Sequence, residues 1–179
     1  MLTDEAPARS PYGSFPEVIE RDWLGRWCHL SRADLDLVDR RRSDTTRLGF
    51  AVQLVTVRAI GTFLSEPSDV PDLVVRSVAE QIGAKDIGVL AGYGKLAAQW
   101  HHVTEIRERY GYQDFTDPVV QSRIERWLYR IVWSSDIGPS ALFAAAHRRL
   151  LADRVVLPGE QVLQRLIARL RERATTRLW

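Results

Sequence analysis

The stretch from Arg40 to Leu64, RRRSDTTRLGFAVQLVTVRAIGTFL, constrains the fold of this chain more than any other stretch. Ser43 or Asp44 can cap the start of a helix here, and Gly61 can end it because glycine readily adopts the left-handed backbone conformation that closes many helices. Between them, apolar residues recur at the i, i+3, i+4, i+7 spacing of one helix face: Leu48, Ala51, Val52 and Val55. The pattern predicts a long helix with a buried face, entered from a short polar turn.

Start and stop signals of the same kind continue along the chain. Ser31, followed three residues later by Asp34, is typical of a capping box. Glycines that can end helices stand at positions 83 and 111, and residues that can open helices are Pro16, Pro71, Asp117, Pro139 and Pro158. We therefore expect an all-α, multi-helical array of about eight or nine helices joined by short loops. The predicted inward faces include Leu73 and Val162.

One polar segment interrupts this series of helices. The residues SEPSDV at 65–70 combine proline, serines and acidic side chains, a composition typical of a connection rather than of a helix. We expect two small helical lobes, an N-terminal lobe at 1–64 and a second lobe at 71–179, with 65–70 as the linker.

The common catalytic signatures are missing from the sequence. It has no G-x-x-x-x-G-K-[ST], no G-x-G-x-x-G after a strand and no H-E-x-x-H. Cys28 lies beside His29, and His101 beside His102, but neighbours in sequence point apart on a helix and neither pair favours a nucleophile with its base or a metal site. The carboxylates are scattered rather than gathered on a rigid scaffold that could hold Mg²⁺. We expect no catalytic residue and no metal in this chain.

The expected location follows from what the chain lacks. A single cysteine excludes an internal disulfide and favours a reducing compartment. No apolar run approaches the roughly 20 residues of a membrane span, and the acidic, proline-containing N-terminus does not look like a signal peptide. We expect a cytoplasmic protein without a membrane partner.

Arginine dominates the basic residues. Only Lys85 and Lys95 are lysines, against 23 arginines, and the net charge is +2. Residues 121–179 carry 11 basic and 5 acidic side chains, whereas residues 1–120 carry 14 and 18. Arginine binds a phosphate or a guanine edge through two hydrogen bonds, where lysine offers a point charge. Codon usage in a GC-rich genome is the alternative source of this bias.

The densest positive charge lies at the entrance to the long helix. Arg40, Arg41 and Arg42 connect the end of one helix to the start of the next, and Arg47 follows one turn into that helix. The intervening SDTT turn offers hydroxyls and backbone N–H groups at a helix N-terminus, which favours phosphate binding. Helix, polar turn and helix together resemble a helix-turn-helix arrangement. The alternative is helix capping by solvated arginines, since cations are favoured near a helix C-terminus.

Two later helices add candidate contacts. In the helix predicted from Ala97 to Tyr110, Gln99, Thr104 and Arg107 are side chains that can bind base edges or phosphates. In the last helix, arginines spaced four apart share one face: Arg165, Arg169 and Arg173. An ordinary solvated helix face is the alternative for both, and a docking face for another domain is a further alternative for the last.

These segments, in this order, resemble the N-terminal region of Tn-three family transposases. The resemblance begins with RRRSDTTRLGFAVQLVTVRAIGTFL and continues through VPDLVVRSVAEQIGA, HHVTEIRERYGYQDF and the closing block from Ala141 to Trp179. The chain departs from many relatives at Thr46, where they have asparagine. The resemblance implies binding to double-stranded DNA at the terminal inverted repeats of a transposon. Taken with the side-chain chemistry above, it leads us to expect the DNA-binding residues to be Arg40, Arg41, Arg42, Arg47, Gln99, Thr104 and Arg107.

The same resemblance places the chemistry elsewhere. Family members carry a ribonuclease-H-like domain with three metal-binding carboxylates further along the chain, so Mg²⁺ is expected only there and no cofactor is expected here. We also expect self-association through the full-length protein and a location at the nucleoid. The alternatives are a helical protein–protein interaction module and a stand-alone DNA-binding regulator derived from a transposon remnant.

Overall fold

A computed structural model describes residues 12–66 and 69–176 of the chain. These residues form eight α-helices and a 3₁₀-helix, Ile87–Lys95, which lies between the fourth and fifth α-helices. The α-helices are α1 (Arg21–Trp27), α2 (Arg32–Val38), α3 (Asp44–Ile60), α4 (Asp72–Ile82), α5 (Ala98–Tyr110), α6 (Pro118–Ser134), α7 (Pro139–Ala152) and α8 (Glu160–Thr176). Within the described ranges the only β-type pairing is an isolated bridge between Gln113 and Val155. The predicted all-α class is confirmed, while the helix-turn-helix character stays a prediction.

The predicted helix boundaries at Ser31, Ser43 and Gly61 are confirmed. The Ser31 hydroxyl accepts the Asp34 N–H at 3.2 Å and the Asp34 carboxylate accepts the Ser31 N–H at 2.8 Å, which makes a complete capping box for α2. Ser43 and Thr46 cap α3 in the same reciprocal way. Gly61 ends α3 with φ 76°, the left-handed conformation that a side chain disfavours.

Three local predictions are wrong. The first helix begins at Arg21 rather than at Pro16, after an uncapped Glu20. Leu73 and Val162 are 54% and 43% exposed, although the spacing predicts that they are buried. Each lies beside the buried stripe of its helix and not on it. The buried residues of α4 include Val74 and Val78, and those of α8 include Leu163 and Leu166.

The buried apolar side chains form two clusters. The first gathers α1 to α5 and the 3₁₀-helix around α3, whose Phe50, Leu54 and Val55 are fully buried. The second is built from α6, α7 and α8. The division into lobes at 65–70 stays a prediction about domains; the clusters group the chain differently, because helices on both sides of 65–70 share the first cluster. Residues 1–11, 67–68 and 177–179 of the predicted lobes and linker lie outside the described residues.

Backbone hydrogen bonds join the two clusters. The N–H of Leu157 donates to the carbonyl of Gly61 at 2.9 Å, and Gln113 exchanges hydrogen bonds with Arg154 and Val156. A Cβ at Gly61 would lie 2.4 Å from a methyl group of Leu151, so the absence of a side chain also permits this close approach. The end of α3 is thereby fixed against the segment that follows α7.

Candidate nucleic-acid interface

The turn between α2 and α3 presents two arginines to solvent. Arg40 and Arg42 are both exposed, and neither forms an ion pair with a carboxylate in the described part of the chain. The turn itself is ordered by backbone hydrogen bonds from Arg40 to Leu37 at 3.3 Å and from Arg41 to Val38 at 3.1 Å. Two cations are therefore carried on a defined backbone next to the start of α3.

Arg41, between them, points inward. Its side chain is only 9% exposed. The guanidinium donates to the carbonyl of Leu37 and to the carboxylate of Glu105 on α5, and it stacks over the Phe50 ring at 3.8 Å from the centroid. Because the Arg41 side chain is nearly buried and bonds to these three groups of the protein itself, it holds the turn against α3 and α5 and is not presented to a ligand.

Arg47 is also held by the protein. It pairs with Asp39 at 2.8 Å and with Asp44 at 3.3 Å, and it donates to the carbonyl of Ile82 at 3.0 Å. The hydrogen bond to Asp39 is the largest of the interactions that raise the pKa of Arg47 above its usual value. The side chain ties the ends of α2 and α4 to the start of α3.

The predicted contacts on α5 differ in how free they are. Gln99 donates to the carbonyls of Leu64 and Ser65 at 3.2 and 2.8 Å. Arg107 pairs with Asp114 at 3.0 Å. Thr104 is exposed, and its hydroxyl donates to the Trp100 carbonyl of its own helix at 3.0 Å, which leaves the oxygen able to accept. The structure thus places the seven predicted residues on the α2–α3 turn, α3 and α5, and it engages several of them internally. The contact between the turn and α5 is made by Arg41 and Glu105, whereas Gln99 and Arg107 bond to other parts of the chain.

Arg109 was not among the residues predicted from the sequence, but it contacts the same carboxylate as Arg41. Arg109 on α5 is exposed and pairs with Glu105 at 2.9 Å, while the same carboxylate accepts from Arg41. The Glu105–Arg109 spacing of four residues was visible in the sequence, but the contact to Arg41, across 64 positions, was not. We call Arg40, Arg42 and Arg109 the arginine surface.

A neutral buried layer supports the arginine surface. His102 lies beneath it with Nδ1 at 2.8 Å from the Tyr93 hydroxyl and its ring edge-on to Phe50. Burial, assisted by the charge of Arg41, lowers the pKa of His102 to about 4, so the imidazole is neutral at pH 7. The positive potential of this region therefore comes from arginines and not from histidine.

The second cluster carries its own exposed cations. Three arginines lie on the outer face of α8, opposite the buried Leu163, Leu166 and Leu170: Arg165, Arg169 and Arg173.

In residues 12–66 and 69–176, no group of three or more His, Cys, Asp or Glu side chains is arranged to hold a metal ion. None of the described helices combines the length and the apolar character needed to cross a bilayer.

Comparison with known proteins identifies relatives along the whole chain. A family described as a domain of unknown function (DUF4158) matches residues 1–170. The chain is 36% identical to the transposase for transposon gamma-delta of Escherichia coli (strain K12), an alignment that covers 100% of the chain and 18% of that protein. It is 31% identical to the transposase for transposon Tn501 of Pseudomonas aeruginosa, and 27% identical to that for Tn1546 of Enterococcus faecium, with 97% and 93% of the chain covered. The chain spans less than a fifth of the length of these relatives.

Proposed function

The chain belongs to the DUF4158 family and corresponds to the N-terminal region of Tn-three family transposases, and on this premise we propose that it binds the terminal inverted repeats of a transposon as double-stranded DNA. The observation that carries the proposal is the exposed pair Arg40 and Arg42, held on an ordered turn at the N-terminus of α3. Two solvent-facing guanidiniums beside a helix N-terminus suit the phosphates of a duplex.

Phosphate contacts and base contacts have separate roles in this proposal. Arg40, Arg42 and Arg109 bind phosphates and supply salt-dependent affinity, while base-edge contacts supply specificity. Thr104 offers an exposed hydroxyl for such a contact. Gln99 reaches DNA only by exchanging its present hydrogen bonds. Arg107, like Arg109, pairs with a carboxylate through one nitrogen and keeps further N–H groups to donate. Arg41 and Arg47 contribute by fixing the turn.

Within a full-length transposase, the chain acts as a recognition part. The relatives are several times longer than the chain, so DNA cleavage and strand transfer, with the Mg²⁺ that they require, are assigned to the remainder of such a protein. Self-association is likewise assigned to the full-length protein, and the expected location is the bacterial nucleoid.

A protein–protein interaction module is the second candidate function. Trp133 near the end of α6 is 54% exposed and stacks on Tyr129 with the ring centroids 6.2 Å apart. Exposed aromatic pairs are common in protein interfaces. A stand-alone DNA-binding regulator would use the same arginine surface. Transposition assays with a full-length protein distinguish such a regulator from the recognition part of a transposase.

Fluorescence anisotropy tests the proposed function. The purified chain is titrated into a labelled duplex carrying the terminal inverted repeat that borders its gene, and into a shuffled duplex of equal composition. We expect tighter binding to the repeat by about tenfold or more at physiological salt. Arg42→Gln is expected to weaken binding to both duplexes. Arg76→Gln, which removes an exposed arginine of α4, is its matched control and is expected to leave both affinities unchanged. Equal affinity for both duplexes would contradict repeat recognition.

A further inference from the structure

One carboxylate connects two elements of the arginine surface. Glu105 on α5 accepts from Arg41 through one oxygen and from Arg109 through the other. Arg41 belongs to the α2–α3 turn, and Arg109 lies one helical turn beyond Glu105. The Glu105 carboxylate is therefore the point at which the turn and α5 meet.

The surroundings of Arg41 hold its guanidinium in one orientation. Its guanidinium is stacked on Phe50 and its remaining hydrogen bond goes to the Leu37 carbonyl at the end of α2. A planar guanidinium with fixed partners on three sides has little freedom to rotate, whereas an exposed arginine samples many rotamers. The backbone of Arg40 and Arg42, on either side, is fixed with it.

We propose that the Arg41–Glu105 pair is a positioning device, in which Arg41 acts on bound DNA through Arg40, Arg42 and Arg109 without touching it. This inference rests on the proposed function, since it names how that surface is held in shape. Glu105 thereby gains an unusual role: an acidic residue within a DNA-binding surface that promotes binding. Removing the Glu105 charge by itself reduces repulsion of phosphates and frees Arg109, so a net loss of affinity in Glu105→Gln reports the loss of positioning. Direct phosphate contact by Arg41 predicts a gain of affinity instead.

A double-mutant cycle on duplex affinity tests the device. Arg41→Gln, Glu105→Gln and the double variant are compared with the wild type on the inverted-repeat duplex. We expect each single variant to lower affinity by about tenfold and the double variant to be no weaker than either one, because both remove the same pair. Glu108→Gln is the matched control, since Glu108 is exposed on the same helix and removes the same charge. That control is expected to leave affinity unchanged or slightly raised.

Two results would overturn the proposal. One is unchanged or raised affinity in Glu105→Gln, as in Glu108→Gln. The other is additive losses in the double variant together with a salt slope reduced by about 1 in Arg41→Gln alone, the signature of one lost phosphate contact. Failure of the wild type to prefer the repeat over the shuffled duplex would instead contradict the proposed function.

Amide hydrogen exchange of the free protein provides a readout that does not depend on DNA. We expect the amides of Arg40 and Arg41, whose N–H groups bond to Leu37 and Val38, to exchange faster in Glu105→Gln than in the wild type. In Glu108→Gln we expect these two amides to exchange at the wild-type rate. Thermal unfolding of each variant verifies that the measured protein is folded. Wild-type exchange rates at the turn in Glu105→Gln would show that Glu105 does not hold it.

Discussion

Arg58 on α3 donates to both carboxylate oxygens of Asp34, at 2.9 and 2.8 Å. The Tyr110 hydroxyl at the end of α5 donates to the same carboxylate, as does the N–H of Ser31 at 2.8 Å. Asp34 is buried, and its four hydrogen bonds join the start of α2, the end of α3 and the end of α5. A buried charged residue, and not apolar packing alone, therefore holds α2, α3 and α5 together.

Asp34→Asn is expected to lower the free energy of unfolding by about 3–5 kcal/mol at pH 7, because it leaves Arg58 without its partner in a partly buried position. Chemical denaturation measures this change. Asp36→Asn, which breaks an exposed pair with Arg32, is the control and is expected to cost less than about 1 kcal/mol. Equal effects of the two substitutions would contradict a central role for Asp34.

The same carboxylate makes the fold sensitive to acid. Burial opposes ionisation of Asp34, but the hydrogen bonds from Arg58, Tyr110 and Ser31 outweigh it and hold its pKa well below its usual value. The folded state thus binds this proton less readily than the unfolded state, so the stabilisation is present above about pH 4 and is lost as the pH falls further. Denaturation between pH 5 and 2 should show a shallower loss in Asp34→Asn than in the wild type.

His102 adds a separate pH dependence at higher pH. Because burial lowers its pKa to about 4 from an ordinary 6.5, the unfolded state binds the proton more readily between these values. Stability should fall as the pH drops from 6.5 towards 4, by on the order of 1–3 kcal/mol. His102→Gln should flatten the profile in this window. An unchanged slope would show that the imidazole is already charged or solvated in the folded protein.

Substitution of Gly49 tests how tightly α3 packs against Tyr93 of the 3₁₀-helix. A Cβ at this position would lie 2.2 Å from Cδ2 of the fully buried Tyr93. Gly49→Ala is therefore expected to destabilise the fold by about 1–3 kcal/mol despite the better helix propensity of alanine. Gly25→Ala in α1 is the matched control, with no atom within 4 Å of the new Cβ, and should be neutral or slightly stabilising. The midpoint of urea unfolding distinguishes the two.

Local signals made most of the fold predictable from the sequence. The caps at Ser31 and Ser43 and the stop at Gly61 act over three or four residues, so the sequence contains all that they need. The grouping of the helices was less accessible, because the core shared across 65–70 depends on contacts between distant residues. The site shows the same division: the exposed Arg40 and Arg42 follow from the turn, while the burial of Arg41 depends on Glu105, 64 positions away.

The arginine surface yields a prediction about ionic strength. Arg40→Gln combined with Arg42→Gln should lower affinity for any duplex and reduce the slope of log affinity against log salt by about 2, since each lost phosphate contact removes about 0.9. Both residues are exposed and unpaired within the described part of the chain, so stability should change little. A salt titration monitored by anisotropy measures the slope. An unchanged slope would place the DNA on another face.

Footprinting of the purified chain on a transposon end tests the central claim most directly. The duplex joins the terminal inverted repeat to flanking host sequence, and nuclease protection is mapped at increasing protein concentration. We predict protection confined to the repeat, and its loss in the folded Arg40→Gln, Arg42→Gln variant at the same concentration. Uniform protection of repeat and flank, or none with a folded wild-type chain, would contradict the claim that this domain recognises transposon ends.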